Sequence, residues 1–148
     1  MRAATLAALL GGAMFATLAC SGPGRSVELI KQDKRTEIIA LWTQIRSWRL
    51  DAGMDLEPHP DSLLGVRGKS VKKAQLVCQA QVPTPCNDVC NLGDAICDNA
   101  ERICDIAAEL GPDDKLGVEK CESSKASCRE AKQRCCSCAE KQKASATW

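Results

Sequence analysis

The sequence predicts an all-α protein, in which an antiparallel, disulfide-stapled helical hairpin packs against an N-terminal amphipathic helix. Six cysteines form two trios with a seven-residue repeat, and the turn sequence Gly111-Pro112-Asp113-Asp114 lies between the trios. Seven residues are nearly two helical turns, so each trio occupies one helix face. Upstream, apolar residues recur at three- and four-residue steps, which is the spacing of an amphipathic helix.

Composition limits the functions open to this 148-residue chain, whose length fits one domain. It has 20 Lys and Arg against 19 Asp and Glu, so it lacks the basic excess on which nucleic-acid binding relies. The chain has only 1 His, His59, and this scarcity excludes most His-based catalysis and His-rich metal sites. It lies between Pro58 and Pro60, where we expect an exposed loop residue.

Residues 1–19 have the pattern of an export signal. Met1-Arg2 supplies a positive end, and the following residues are uncharged and rich in small and apolar side chains. The segment is short for a membrane span. Its last three residues and the residue after it, Thr17-Leu18-Ala19-Cys20, resemble the lipobox of bacterial lipoproteins. Cleavage by an ordinary signal peptidase, which would release a soluble secreted protein, is the alternative.

The lipobox resemblance implies that Cys20 receives a diacylglycerol with palmitate-type acyl chains and becomes the mature N-terminus. Residues 20–26 would then be the lipidated cysteine and a flexible tether. Such an anchor needs no transmembrane helix. By the same resemblance, Ser21 after the lipidated cysteine implies passage to the outer membrane. The cysteine count agrees, because lipidation leaves an even number of the 11 cysteines to pair.

Residues 27–53 are the predicted amphipathic helix, with Ser26 as the N-cap and Gly53 as the stop. Its apolar stripe consists of Ile38, Leu41, Trp42, Ile45 and Trp48. We expect the tryptophans to pack against a neighbouring helix rather than to form a ligand platform. Residues 54–82 are a connection that contains a short helix near 70–81, because the prolines beside His59 prevent a helix from passing through.

Residues 83–148 are the predicted cysteine-rich hairpin. Thr84 is a candidate N-cap for its first helix, which runs to Leu110. Asp113 or Asp114 can cap the second helix, which runs to about Lys141. Apolar residues flank the cysteines of the first helix and face the N-terminal helix: Val89, Ile96, Ile103 and Leu110. The second helix has a polar flank, and its excess of bases complements the acids of the first.

The cysteine register predicts the disulfides. Consecutive members of one trio lie about 10.5 Å apart along the helix axis, which is too far for a disulfide bridge. Facing positions of an antiparallel hairpin share one midpoint, and the three pairs centred on the Gly111–Asp114 turn are Cys90–Cys135, Cys97–Cys128 and Cys104–Cys121. A second set of facing positions, beside the first on the two helices, predicts the bridge Cys86–Cys138. Cys78 and Cys136 then remain as the last pair. Every other position of that second set is small: Gly93, Ala100, Ala107, Gly117, Ser124 and Ala131.

These features favour a non-enzymatic, lipid-anchored protein of the cell envelope, whose helices form a structural or protein-interaction module. The construction loosely resembles the twin CX9C proteins of mitochondria, from which only the principle of a disulfide-linked helical hairpin transfers. We expect no cofactor and no nucleic-acid partner. The expected partners are the membrane, reached through Cys20, and an envelope protein that the sequence does not identify.

Two alternatives use the cysteines chemically. Cys135-Cys136-Ser137-Cys138 looks like a metallothionein fragment, and bacterial copper storage proteins also line helices with cysteines that hold Cu(I). An oxidising compartment, where disulfides persist, opposes this hypothesis. Redox chemistry could open Cys78–Cys136, and Cys135 and Cys138 have the CXXC spacing, but a redox motif of this kind commonly lies beside a sheet, and the sequence predicts none. No pairing of a nucleophile with a base is visible either, so we expect no enzyme.

Overall fold

The computed structural model describes residues 26–75 and 82–145, and within these ranges the regular structure is entirely helical. The elements are α1 (Val27–Asp51), α2 (Pro60–Val66), α3 (Val71–Gln75), a 3-10 turn (Thr84–Cys86), α4 (Asn87–Leu110) and α5 (Lys115–Ser145). The all-α prediction is therefore confirmed. In the described ranges, no helix combines the length and hydrophobicity that crossing a bilayer requires.

The turn between α4 and α5 uses the residues that its chemistry predicts. Gly111 ends α4 with a φ of 94°, a left-handed conformation that glycine adopts without strain. Asp114 is the N-cap of α5, because its Oδ1 accepts a hydrogen bond from the Gly117 N–H at 2.8 Å. α5 continues to Ser145, beyond the predicted end near Lys141.

The predicted start of α4 is wrong. Thr84 belongs to the 3-10 turn, in which the Cys86 N–H donates to the Pro83 carbonyl at 2.9 Å. The α-helix begins at Asn87, and no side chain caps it. The tighter turn reflects Pro85, which lacks an N–H, and the bridge that ties Cys86 to Cys138.

α1 begins and packs as predicted. The Ser26 hydroxyl accepts from the Leu29 N–H at 3.3 Å. All five stripe residues belong to the core, in which Ile38, Trp42 and Ile45 are buried. They pack against the apolar flank of α4. Val89 is the exception: it is half-buried and lies beside the C-terminal part of α5, outside that core.

The polar flank that the sequence indicates for α5 is partly buried. Lys125, Ala126 and Ser127 are all buried, because α2 and α3 pack onto α5. α2 lies inside residues 54–68, which were expected to be a plain connection. Pro60 does not break this helix, since it occupies the first helical turn, where a missing N–H costs nothing. Residues 76–81, including Cys78, lie outside the described residues.

The expected charge complementarity between α4 and α5 is only partly realised. Asp94 of α4 does pair with Lys132 of α5. Other carboxylates of the two helices pair with α1 instead, as in Glu109–Lys34 at 2.8 Å and Glu130–Arg49 at 2.7 Å. Charge therefore joins all three long helices rather than the hairpin alone.

Asp114 makes the hairpin turn sensitive to acid. The Gly117 N–H and the guanidinium of Arg35, 2.7 Å away, lower the pKa of its carboxyl group below the ordinary value. A lowered folded-state pKa gives stabilisation that is complete above about pH 5 and is lost as pH falls through that pKa. Asp114→Ala should lower the free energy of unfolding by about 1–2 kcal/mol at neutral pH.

Urea unfolding of wild type and Asp114→Ala, followed by circular dichroism between neutral and acidic pH, checks this prediction. The difference between the two proteins should narrow as pH falls. The neighbouring exposed residue gives a matched control, Asp113→Ala, which should unfold like wild type at every pH. A constant difference for Asp114→Ala across the pH range would show that the carboxylate charge plays no part.

Candidate functional site

A cystine ladder joins α4 and the 3-10 turn before it to α5. It consists of four disulfides, with Cα–Cα distances of 5.9, 4.8, 4.6 and 4.7 Å: Cys86–Cys138, Cys90–Cys135, Cys97–Cys128 and Cys104–Cys121. The last three are the pairs that share a midpoint in the Gly111–Asp114 turn, and Cys86–Cys138 is the pair that the neighbouring set of facing positions predicts. From one bridge to the next, the residue number of the first cysteine rises while that of the second falls. The two helices therefore run antiparallel.

Small residues between the bridges let the helices approach this closely. A Cβ added to Gly93 would lie 3.4 Å from the Ala131 carbonyl oxygen. A Cβ on Gly117 would lie 3.2 Å from the Cβ of Ala107. Between these layers, Ala100 and Ser124 are fully buried. Larger side chains would push the helices apart and strain the bridges.

The described cysteines are all oxidised. Cys136 is also disulfide-bonded, although its predicted partner, Cys78, lies outside the described residues, as does Cys20. A Cu(I) site needs thiolates, and a disulfide provides none. The part of the chain that the structure describes holds no cluster of three or more His, Cys, Asp or Glu side chains placed to bind a metal ion.

The bridges differ in exposure. Cys97–Cys128 is sealed, because its two residues are 1% and 0% exposed. Cys104 and Cys121 are half-buried and border two surface cavities, of about 380 and 310 Å³. The larger cavity is also lined by the cationic residues Lys69 and Lys125. The bridge nearest the turn is therefore accessible to a small reductant.

Limited reduction should open Cys104–Cys121 before Cys97–Cys128. The attacking reagent can reach the first bridge through its cavities, whereas the second bridge is sealed from solvent. Brief treatment with a phosphine, alkylation and peptide mapping would give the order of modification. The same treatment in denaturant should abolish the preference. Earlier modification of Cys97 and Cys128 in the folded protein would contradict the argument from accessibility.

A buried ion pair, which we call the Arg49 cluster, ties α1 to α5. The Arg49 side chain is 1% exposed, and its Nη2 donates to Glu130 Oε2 at 2.7 Å. The same guanidinium donates to the carbonyls of Asp55 and Glu57, each at 2.8 Å. The His59 N–H donates to the other Glu130 oxygen at 2.7 Å. Arg49 and Glu130 thus hold the segment that follows α1 against both α1 and α5.

His59 fills the role of an exposed loop residue, as predicted. Its side chain is 69% exposed, and its Nδ1 accepts from the Asp61 N–H at 3.4 Å. It therefore caps the start of α2.

Sequence reasoning missed the Arg49 cluster. The available signal was the position of Arg49, which continues the buried series Ile38, Trp42 and Ile45 at helical spacing. A charged residue at such a position requires a buried partner. The sequence alone did not identify that partner as Glu130, which is 81 residues away along the chain.

No protein-family model, curated protein or solved structure matches this chain. The features of this chain that bear on function are therefore its own cystine ladder, the Arg49 cluster and the sequence signals that precede α1.

Proposed function

We propose that the protein is a lipid-anchored, non-enzymatic module of the bacterial cell envelope, which holds a rigid helical surface outside the cytoplasm. The cystine ladder is the observation that carries this proposal. Four bridges span the α4–α5 interface, and such bridges persist in oxidising compartments. A protein that folds around them belongs outside the reducing cytosol.

The lipid anchor is supported by the sequence before α1. The lipobox-like residues end at Cys20, and the Ser26 cap of α1 follows after a short tether. Lipidation of Cys20 also explains the odd cysteine count. With Ser21 next to it, we propose the outer membrane as the destination.

Rigidity is what the ladder contributes to such a module. Each bridge restricts the unfolded chain, and the Arg49 cluster fixes the connection against α5. A partner that binds a preorganised surface loses less conformational entropy than one that must order it. We therefore propose that the module braces an envelope assembly or presents a binding surface within it, with no cofactor and no catalysis.

Intact-mass measurement and non-reducing peptide mapping of protein recovered from its native envelope test this proposal. We expect a diacylglycerol-modified Cys20, the four described bridges and no free thiol. A soluble protein that begins at an unmodified Cys20 would contradict the anchor. Free thiols that copurify with copper would instead favour the metal-binding alternative.

A matched variant separates anchoring from folding. Cys20→Ala should abolish lipid attachment and leave the bridge map unchanged, because Cys20 takes no part in the ladder. Unchanged recovery of this variant with membranes, resistant to high salt, would show that something other than the lipid holds the protein there.

A further inference from the structure

The beginning of α1 is exposed where the helix meets the hairpin turn. The ion pairs Lys34–Glu109 and Arg35–Asp114, at 2.8 and 2.7 Å, mark the place where α1 reaches that turn. Residues 26–33, which precede these pairs, are all exposed. At 1.5 Å per residue they form about 12 Å of helix, which we call the α1 tip.

The α1 tip is apolar on more than one side. Val27, Leu29 and Ile30 are 71%, 53% and 41% exposed. With about 100° of rotation per residue, Val27 lies about 20° from the direction of the buried Ile38, Ile30 lies about 80° from it, and Leu29 lies roughly opposite Val27. A partner helix docked along one face would leave part of this apolar surface in water. The tip also carries the charged residues Glu28, Lys31 and Asp33. In a bilayer interface their charged groups can stay among the lipid headgroups while apolar side chains on both sides of the helix are covered.

The tether brings this tip to a membrane. Position 26 is six residue-to-residue steps from position 20, and a fully extended chain of that length spans about 20 Å. An acyl chain on Cys20 would therefore hold the tip close to the bilayer surface at a high effective concentration. Under that condition, a few apolar side chains are enough to set the orientation of the domain.

We infer that the α1 tip is a membrane-contact surface whose Val27, Leu29 and Ile30 side chains enter the bilayer interface beside the lipid anchor. This inference rests on the proposed acylation of Cys20. It directs the hairpin turn towards the membrane and the open end of the ladder, at Cys86–Cys138, away from it. The surface offered to an envelope partner is then the distal end of α4 and α5.

Two introduced tryptophans on α1 test this orientation. Leu29→Trp places a fluorophore on the tip, and Ile39→Trp places one at a site of similar exposure, 49%, about 15 Å further along the helix. The acylated full chain is reconstituted into phosphatidylethanolamine and phosphatidylglycerol vesicles, with or without brominated acyl chains. Brominated chains should quench most of the emission added by Leu29→Trp and leave that added by Ile39→Trp unchanged.

Vesicle flotation and the mass of the Cys20 peptide distinguish the possible failures. Unacylated protein that does not float would overturn the proposed anchor, and this inference with it. Acylated, floating protein whose Leu29→Trp emission is unquenched, or is quenched no more than that of Ile39→Trp, would overturn the orientation alone.

A further variant tests the apolar contact itself. Val27→Ser with Ile30→Ser, introduced beside Leu29→Trp, should keep flotation and reduce the quenching. These side chains are exposed, so the fold should tolerate the changes. Undiminished quenching in this variant would show that the apolar tip does not hold the domain at the membrane.

Discussion

Replacing Arg49 with Met should lower the free energy of unfolding by about 3–5 kcal/mol, because it leaves a largely buried carboxylate without its counterion. Glu130 is only 15% exposed, and the carbonyls of Asp55 and Glu57 would lose their donors at the same time. Methionine fills much of the same volume without supplying charge. The loss is therefore electrostatic and polar rather than a matter of packing.

Urea unfolding with the disulfides intact, followed by circular dichroism, measures this loss. Arg102→Met is the matched control, since Arg102 also pairs with a carboxylate, Glu37, but both side chains are exposed. Exposed ion pairs contribute about 0–1 kcal/mol, so this control should remain close to wild type. Equal losses in the two variants would refute the special role of the Arg49 cluster.

Removing the sealed bridge, with Cys97→Ala and Cys128→Ala together, should cost about 2–4 kcal/mol. The entropic part of that cost is reduced, because Cys90–Cys135 and Cys104–Cys121 still close the chain on either side. Loss of two buried sulfur atoms adds a cavity term. Changing both cysteines together avoids a free thiol that could exchange with the neighbouring bridges.

The same double substitution at the bridge nearest the turn is the comparison. Cys104→Ala with Cys121→Ala removes half-buried sulfurs beside existing cavities, so it should cost less than loss of the sealed bridge. Urea midpoints and slopes of all three proteins would decide this. A larger loss at the turn would contradict the ranking of the two bridges by burial.

The ladder also fixes the register of the two hairpin helices. Bridges at successive heights along α4 and α5 prevent the two helices from sliding past each other, because the covalent links set their register. The noncovalent contacts of α1, α2 and α3 then only have to cover the hairpin. This division suits a protein whose aromatic residues are few and whose core is built mainly from isoleucine, alanine and cystine.

The sequence by itself determined the helical hairpin and its ladder. A seven-residue repeat, a turn with glycine and proline, and small residues at matched positions are periodic features that can be counted along the chain. Disulfide geometry then leaves few partners, because the permitted Cα separations are narrow. The apolar stripe of α1 could be predicted for the same reason, because its residues recur at helical spacing.

Only the tertiary structure decided what covers α5 and what balances Arg49. α2 and α3 reach α5 through the path of the connection, and Lys125 then donates to the Lys69 carbonyl at 2.9 Å. Such contacts depend on the path that the connection between α1 and the hairpin takes. No periodic pattern of residues in the sequence indicates that path. The pairing of Arg49 with Glu130 follows from that route as well, since burial sets the demand for a counterion and the fold supplies it.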